Sequence, residues 1–341
     1  MKTKQILFTR PNTAEFLDVE TREMGENDVM IETVFSSISC GTEKANISGD
    51  PNISIFTDEN SPVIFPRTAG YSSSGIVIAK GDSVKSVEVG DRVTMSWSTL
   101  SKIIVLPEKD VVKIEYDNIS FQEAALCHIG TFPMAALRKT KLEIGESMLV
   151  MGLGILGLMA VEFAKAAGAV PVIAVDPVAQ RREKAIQCGA DYALDPFDEN
   201  FTDRVKELTN GGANTAIEVT GLGAGLNQCL DCMAKHGRIS LLGCTRNKNF
   251  TVDYYRKVHA PGIQLIGAHT LARPEIESYP GYFTQRDDLK TILSLCAMGR
   301  INLKDIVDEV HSPTECEAVY TRMMNDIDFP TVVQFDWRNI K

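Results

Sequence analysis

The sequence predicts an α/β fold, a doubly wound parallel sheet joined to a β-rich domain, and three observations carry that expectation. Between Gly145 and about residue 270, short apolar runs of strand type alternate with helix-like segments. The first of those runs leads directly into a glycine pattern, Gly152-Leu-Gly-Ile-Leu-Gly157. The first 115 residues differ, with brief alternating stretches separated by Gly, Asp and Asn.

Taken in order, Val29–Phe35, Gly75–Lys80 and Arg92–Met95 are short alternating segments of the kind that forms half-buried strands, and they predict a twisted β barrel or sandwich. Six strands follow at Met148–Met151, Val172–Val175, Tyr192–Leu194, Thr215–Val219, Arg238–Leu242 and Gln264–Ile266. With helices between them they make a doubly wound parallel sheet. Helical patterns recur at Arg286–Met298 and Pro313–Asn325, before an apolar strand at Thr331–Phe335 that is expected to return to the first domain. The division expected is residues 1–130 with 284–341 for one domain and 131–283 for the other. No repeat, low-complexity segment or long linker lies between them, so they are expected to share a face with a cleft, a common place for a ligand.

Strand, glycine turn and apolar helix in succession form the setting in which a GxGxxG pattern holds a dinucleotide pyrophosphate. Gly152 allows the tight turn, Gly154 lets the backbone approach the phosphates, and Gly157 lets the helix pack on the strand. Free N–H groups at the helix start, which includes Ile155 and Leu156, point at the anion. The second strand ends in Asp176, 19 residues beyond Gly157, where an acid binds both hydroxyls of an adenosine ribose. Thr220, after the fourth strand, completes the cofactor-binding set. Arg181 and Arg182 suggest a 2′-phosphate pocket, but an anion at Asp176 repels that phosphate, so NAD is the expected cofactor.

At 341 residues and 44% apolar content the chain can build two ordinary cores. A net charge of −10, with Lys and Arg scattered among the acids, argues against nucleic-acid binding and leaves small molecules as the expected partners. No stretch of 18 apolar residues exists, and the opening Met-Lys-Thr-Lys-Gln-Ile-Leu-Phe breaks off before a signal-peptide core; a cytoplasmic protein with no membrane partner is expected. The eight cysteines lie singly except Cys229 and Cys232, and resemble reduced thiols. That pair falls inside an apparent helix, Leu226–Lys235, with no second pair to complete a metal site, and reads as helix packing. His236, His259, His269 and His311 have no partner at metal-ligand spacing, and His269 is the one placed to border the cleft.

Cys40-Gly-Thr-Glu43, Pro66-x-x-x-Gly70-Tyr-Ser-x-x-Gly75, Gly81-Asp-x-Val84 and Val89-Gly-Asp-Arg-Val93 precede the segment Ala124–Leu137, the glycine turn and the closing strand. In that order they resemble the medium-chain dehydrogenases/reductases, the zinc alcohol and polyol dehydrogenase superfamily. The resemblance spans nearly the whole chain and implies a Rossmann domain, a β-rich GroES-like catalytic domain, hydride transfer between a nicotinamide cofactor and a carbonyl or alcohol carbon, and a homodimer or homotetramer.

Departures from the family pattern shape the rest of the reading. Zinc-dependent members read Gly-His-Glu where this chain has Gly70-Tyr71-Ser72, and that His is a metal ligand. Between Val93 and Ile103 there is no room for the four-cysteine loop that binds a structural zinc in many relatives. Cys40 stands at one ligand position and His128 where relatives place a Glu or Cys ligand; with Glu43 as a conceivable third, the set falls short of a normal catalytic zinc, and no metal is expected. Thr42 caps the helix expected near Glu43 and also matches the Ser or Thr that relays a proton between substrate and nicotinamide ribose in the family.

The expected activity is NAD-dependent oxidation of a secondary alcohol in a sugar, polyol or sugar derivative. Without zinc a base must take the hydroxyl proton, and His128 is the candidate, since an imidazole titrates at about 6.5. Tyr71 would hold the substrate oxygen or simply pack in the cleft, and Thr42 would complete the relay. The alternatives are a zinc-free enone or quinone reductase of the same superfamily, against which the Cys40–Glu43 motif and Asp176 count, and a nucleotide-binding protein that has lost catalysis.

Overall fold

The structure, a computed structural model, describes residues 1–341. Two compact units divide the chain: Met1–Ile129, Leu289–Ala297 and Leu303–Lys341 form one, and Gly130–Asp288 with Met298–Asn302 the other. No helix is long and apolar enough to cross a membrane.

The chain opens with a hairpin of β1 (Lys2–Arg10) and β2 (Thr13–Glu20), then β3 (Asp28–Ile38), α1 (Cys40–Ser48), β4 (Arg67–Thr68), β5 (Ser72–Lys80), β6 (Arg92–Ser96), β7 (Ile103–Pro107) and β8 (Val111–Lys113). A short α2 (Phe121–Ala124) follows, begun by a capping box in which Ser120 and Glu123 satisfy each other's backbone N–H. Strands β3, β5 and β6 extend one to three residues beyond the alternating sequence runs, because pairing with neighbours continues into the serine-rich stretches Ser36–Ser37 and Ser72–Ser74. Serine gives no periodic apolar signal, yet its hydroxyl is satisfied here: Ser72 and Ser37 donate to the Ala125 carbonyl at 2.6 and 3.0 Å.

From α3 (Cys127–Thr140) the chain enters the second unit: β9 (Met148–Met151), α4 (Ile155–Ala166), β10 (Val172–Val175), α5 (Ala179–Gln187), β11 (Tyr192–Leu194), α6 (Phe201–Leu208), β12 (Ala213–Glu218), α7 (Gly223–Asp231), β13 (Met233–Leu241) and β14 (Gln264–Gly267). All five pairings are parallel and the strand order is β11-β10-β9-β12-β13-β14, so the winding reverses between β9 and β12. A crevice at the carboxyl ends of those two strands is where open α/β sheets bind ligands. β9 and β10 are buried along their whole length, the continuous apolar pattern of a sheet covered on both faces.

Helix α7 and the strand after it differ from their sequence pattern. The helix expected over Leu226–Lys235 ends at Asp231, Cys232 is its C-cap, and Met233 already pairs with Ala213 in the sheet. Backbone pairing takes the chain at Met233 out of the helix despite its apolar periodicity. Cys229 and Cys232 are both fully buried in the core of this unit, where burial pushes their thiols well above the ordinary range.

The chain ends with α8 (Gln285–Ala297), β15 (Glu309–His311), α9 (Cys316–Asn325) and β16 (Val333–Asp336). β16 returns to the first unit and pairs antiparallel with β3, Val333 opposite Ile38. Strands β15, β16, β3, β5, β6 and β8 run in that order through one sheet, to which β7 adds against β3, while β2, β1 and β4 form a second. Phe8, Ile38, Ile47, Tyr320, Phe335 and Trp337 make one core of this unit, and Val29, Ile31, Val77, Val93 and Met95 another.

Candidate active site

In the second unit, the turn after β9 is built around its glycines. Gly152 has φ +100, a conformation open to glycine, and a Cβ there would lie 3.0 Å from Thr220 Cγ2. A Cβ on Gly157 would lie 1.9 Å from the Gly152 carbonyl oxygen, so helix and turn can close only on a bare Cα. On Gly154 it would meet nothing within 4 Å. Two glycines are thus demanded by packing and the third keeps space open. Gly154 is the N-cap of α4 and offers no side chain to the first amides of the helix, Ile155 and Leu156 among them, which leaves them for an anion. The residues present fit a dinucleotide pyrophosphate.

Asp176 follows β10 directly, and its carboxylate is tied to that turn. Oδ2 accepts from the Leu153 N–H at 2.8 Å and Oδ1 from the Val178 N–H at 2.9 Å. Arg181 places a guanidinium nitrogen 3.7 Å from Oδ2, whereas Arg182 braces the backbone, donating to the Asp176 and Pro177 carbonyls and to the Asp195 carboxylate. Thr220 lies against Gly152, and its place is set by a residue that sequence reasoning missed. Glu218 closes β12, buried; Oε1 accepts from the Thr220 N–H at 2.8 Å and from the Thr220 hydroxyl, and Oε2 from the Gly221 N–H at 3.3 Å. Burial raises the Glu218 carboxyl pKa against the pull of those bonds. Its signal was an acid ending the otherwise apolar run Ala216-Ile217 at the switch point of the sheet.

In the first unit, α1 starts at Cys40, whose Sγ lies 3.9 Å from the carbonyl oxygens of Pro330 and Thr331. Thr42 is therefore already inside the first turn and exposed, and the capping role expected for it is corrected: Ser39 is the N-cap, without a side-chain bond. Glu43, next along the helix, is buried. Its side chain turns into the core, where Oε1 accepts from the Gly70 N–H at 2.8 Å and Oε2 from the Tyr320 hydroxyl at 3.2 Å. Burial pushes its carboxyl up to about 7 against the downward pull of both bonds. Both oxygens are engaged in joining α1, α9 and the turn before Tyr71, which gives Glu43 a structural role.

Tyr71 is half-buried and follows Gly70, which has φ +78 and on which a Cβ would lie 2.4 Å from Leu100 Cδ2. His128, the second residue of α3, is 0% exposed. The Tyr71 ring meets it edge-on at 5.7 Å, and Trp97 meets it at 4.7 Å and 70°. Sequence reasoning placed Tyr71 and His128 here but missed Trp97, whose signal was an indole among Ser96, Ser98 and Thr99. The imidazole is enclosed more completely than a base facing solvent would be. His269 sits exposed after β14, its Nδ1 accepting from the Leu271 N–H at 3.2 Å.

A catalytic zinc takes three protein ligands and keeps one open position. Here a phenol replaces the family's ligand imidazole, both Glu43 oxygens are bonded elsewhere, and no three His, Cys, Asp or Glu side chains are grouped to hold a metal ion. The donor set does not fit that zinc site.

Residues 156–283 match the family described as zinc-binding dehydrogenase. D-guloside 3-dehydrogenase of Shigella flexneri is 27% identical over 327 residues, covering 90% of this chain and 92% of that protein. Among solved structures, 2R,3R-butanediol dehydrogenase of Bacillus subtilis superposes with a TM-score of 0.82 at 22% identity, over 98% of this chain and 99% of that one. A short chain alcohol dehydrogenase of Escherichia coli CFT073, complexed with NADH, does so with a TM-score of 0.82 at 17% identity and the same coverage. Over nearly its whole length the chain is similar to dehydrogenases of sugars and alcohols. These similarities support an oxidoreductase of the dehydrogenase type.

Proposed function

We propose that the protein is an NAD-dependent dehydrogenase of a secondary alcohol in a sugar, polyol or sugar derivative, acting without catalytic zinc. The observation that carries the coenzyme choice is the glycine turn with Asp176 pinned to it through the Leu153 N–H. The carboxylate is held at the ribose position and its charge opposes a 2′-phosphate. The D-guloside relative supports the sugar branch.

When bound, the nicotinamide supplies the hydride acceptor. The chain's own residues do the rest. Amides at the start of α4 hold the pyrophosphate, and Asp176 takes the ribose hydroxyls, with Arg181 beside it and Thr220 lining the turn. Tyr71, the part-exposed partner of His128, meets the substrate oxygen and orients it; His128 behind it takes the proton, and Thr42 extends the relay. Cys40 lines the substrate end and holds no metal. A homodimer or homotetramer in the cytoplasm is part of the same reading.

Full burial of His128 favours a second reading, nucleotide binding without turnover. A screen for NADH formation over polyols, sugars and glycosides, with and without a chelator, separates the two. Turnover that resists the chelator is the expected result. Saturable NADH binding with no turnover on any alcohol or ketone would select the second reading.

A further inference from the structure

Trp97 holds a backbone conformation unusual for a bulky residue. Its backbone has φ +57, a region that bulky side chains rarely occupy. The chain on both sides explains what enforces it. Ser96, fully buried, ends β6 paired with Ser72, and Ser98, also buried, donates to the Ser73 hydroxyl at 2.8 Å. With both neighbours clamped inward against β5, the residue between them is turned the other way. Its indole stays 46% exposed while its ring rests on His128 at 4.7 Å and lies 6.3 Å from Tyr71. Tyr71 is itself fixed by the Gly70 turn that Glu43 and Leu100 hold. A large apolar surface is therefore held rigid and partly open beside the two residues to which the chemistry was assigned. Strain of this kind, enforced by the surroundings at a ligand site, is a mark of preorganisation.

We propose that Trp97 is a stacking platform for a pyranose ring, and so a specificity-determining residue that makes this enzyme one of ring-closed sugars or glycosides rather than small or open-chain alcohols. This rests on the dehydrogenase reading above. The flat face of a pyranose presents several aligned C–H bonds, whose positive ends suit the negative face of an indole, while its hydroxyls point outward to polar groups. An open-chain polyol offers no such rigid face, and a small alcohol too little area. The indole would bear on the sugar while Tyr71 meets the hydroxyl being oxidised. Ordering cost is low, because the platform is already fixed before binding.

The chain has two tryptophans, and the second, Trp337, is fully buried, so ligand-dependent change in indole emission reports on Trp97. The test titrates the whole protein, with and without NADH, with methyl hexopyranosides, sorbitol and butane-2,3-diol, following emission and acrylamide quenching. In parallel, kcat/KM is compared for wild type, Trp97→Ala and Trp97→Phe. Expected are a blue shift and reduced quenching with a methyl hexopyranoside only. Trp97→Ala should lower kcat/KM for the glycoside relative to the diol about 10- to 30-fold, chiefly through KM, with Trp97→Phe recovering part of the loss. A turned-over glycoside that leaves emission unchanged, or a preference ratio that Trp97→Ala does not move, overturns the platform and leaves the dehydrogenase reading intact. Emission shifts without any NADH formation would keep the platform and remove the dehydrogenase. No response to any sugar would overturn the platform, as would equal responses to sorbitol.

Discussion

Glu43 and His128 are both buried in the first unit, and each calls for its own test. Glu43 carries a carboxyl held at about 7 in the folded chain, against 4.5 for the ordinary group. Between those values the native state keeps a proton that the unfolded chain has released. The resulting stabilisation is complete below about pH 4.5 and is lost as pH rises through about 7, a difference of roughly 3 kcal/mol. Glu43→Gln keeps an acceptor for the Gly70 N–H and cannot ionise, so its melting temperature should gain on wild type from pH 5 to about pH 7 and level off above it. Parallel curves for the two proteins would contradict the buried, proton-holding acid. His128 is tested by turnover instead. His128→Ala should lower kcat by about 10²- to 10⁴-fold with NADH affinity nearly unchanged, and should abolish an ionisation in the wild-type kcat/KM profile. A folded variant within about threefold of wild-type kcat, well short of the general-base range, would make His128 only a packed support for Tyr71 and Trp97.

At the level of elements, the turn from β9 into α4 separates structural from binding demands within one short stretch. Gly157→Ala puts a methyl 1.9 Å from a carbonyl oxygen and should unfold or strongly destabilise the second unit; Gly154→Ala meets nothing within 4 Å and should fold. Thermal melts should show a large loss for the first and almost none for the second, while NADH affinity should fall at least about tenfold in Gly154→Ala, a methyl standing where phosphates approach. Normal NADH binding by Gly154→Ala would remove the pyrophosphate from this turn. Asp176→Ser should narrow the preference for NADH over NADPH, and equal affinities in the unmodified protein would refute the ribose assignment. This part of the molecule was the most legible in the sequence, since strand, glycines, helix and acid are contiguous and each is fixed by a local rule. Strands β9, β10 and β11 were foreseen to the residue for the same reason. Long-range relations were not legible: nothing near Glu43 announces Tyr320, almost 280 positions on. The extended backbone at Met233 and the enclosure of His128 depend on tertiary partners too. Trp97 was visible as an indole in a polar run, but its meaning needed the clamp from β5.

For the whole molecule the sharpest question is whether the chain holds a metal. The match of residues 156–283 to a family described as zinc-binding dehydrogenase raises the expectation of zinc, and the side chains of this protein oppose it. Removing one imidazole from a three-ligand set leaves a thiolate and one buried imidazole, and tying the nearest carboxylate to Gly70 and Tyr320 denies a replacement. Protein purified without added zinc should carry well under one zinc per chain by elemental analysis, and its NADH-forming activity should survive prolonged incubation with a chelator. Melting temperature should not respond to added zinc either, because a ligand that binds the native state raises stability in proportion to its occupancy. Near-stoichiometric metal that leaves with the chelator and takes the activity with it would overturn the metal-free mechanism. Cys40 and His128 would then be ligands, and the hydroxyl would ionise against the cation instead of losing its proton through Tyr71 and His128.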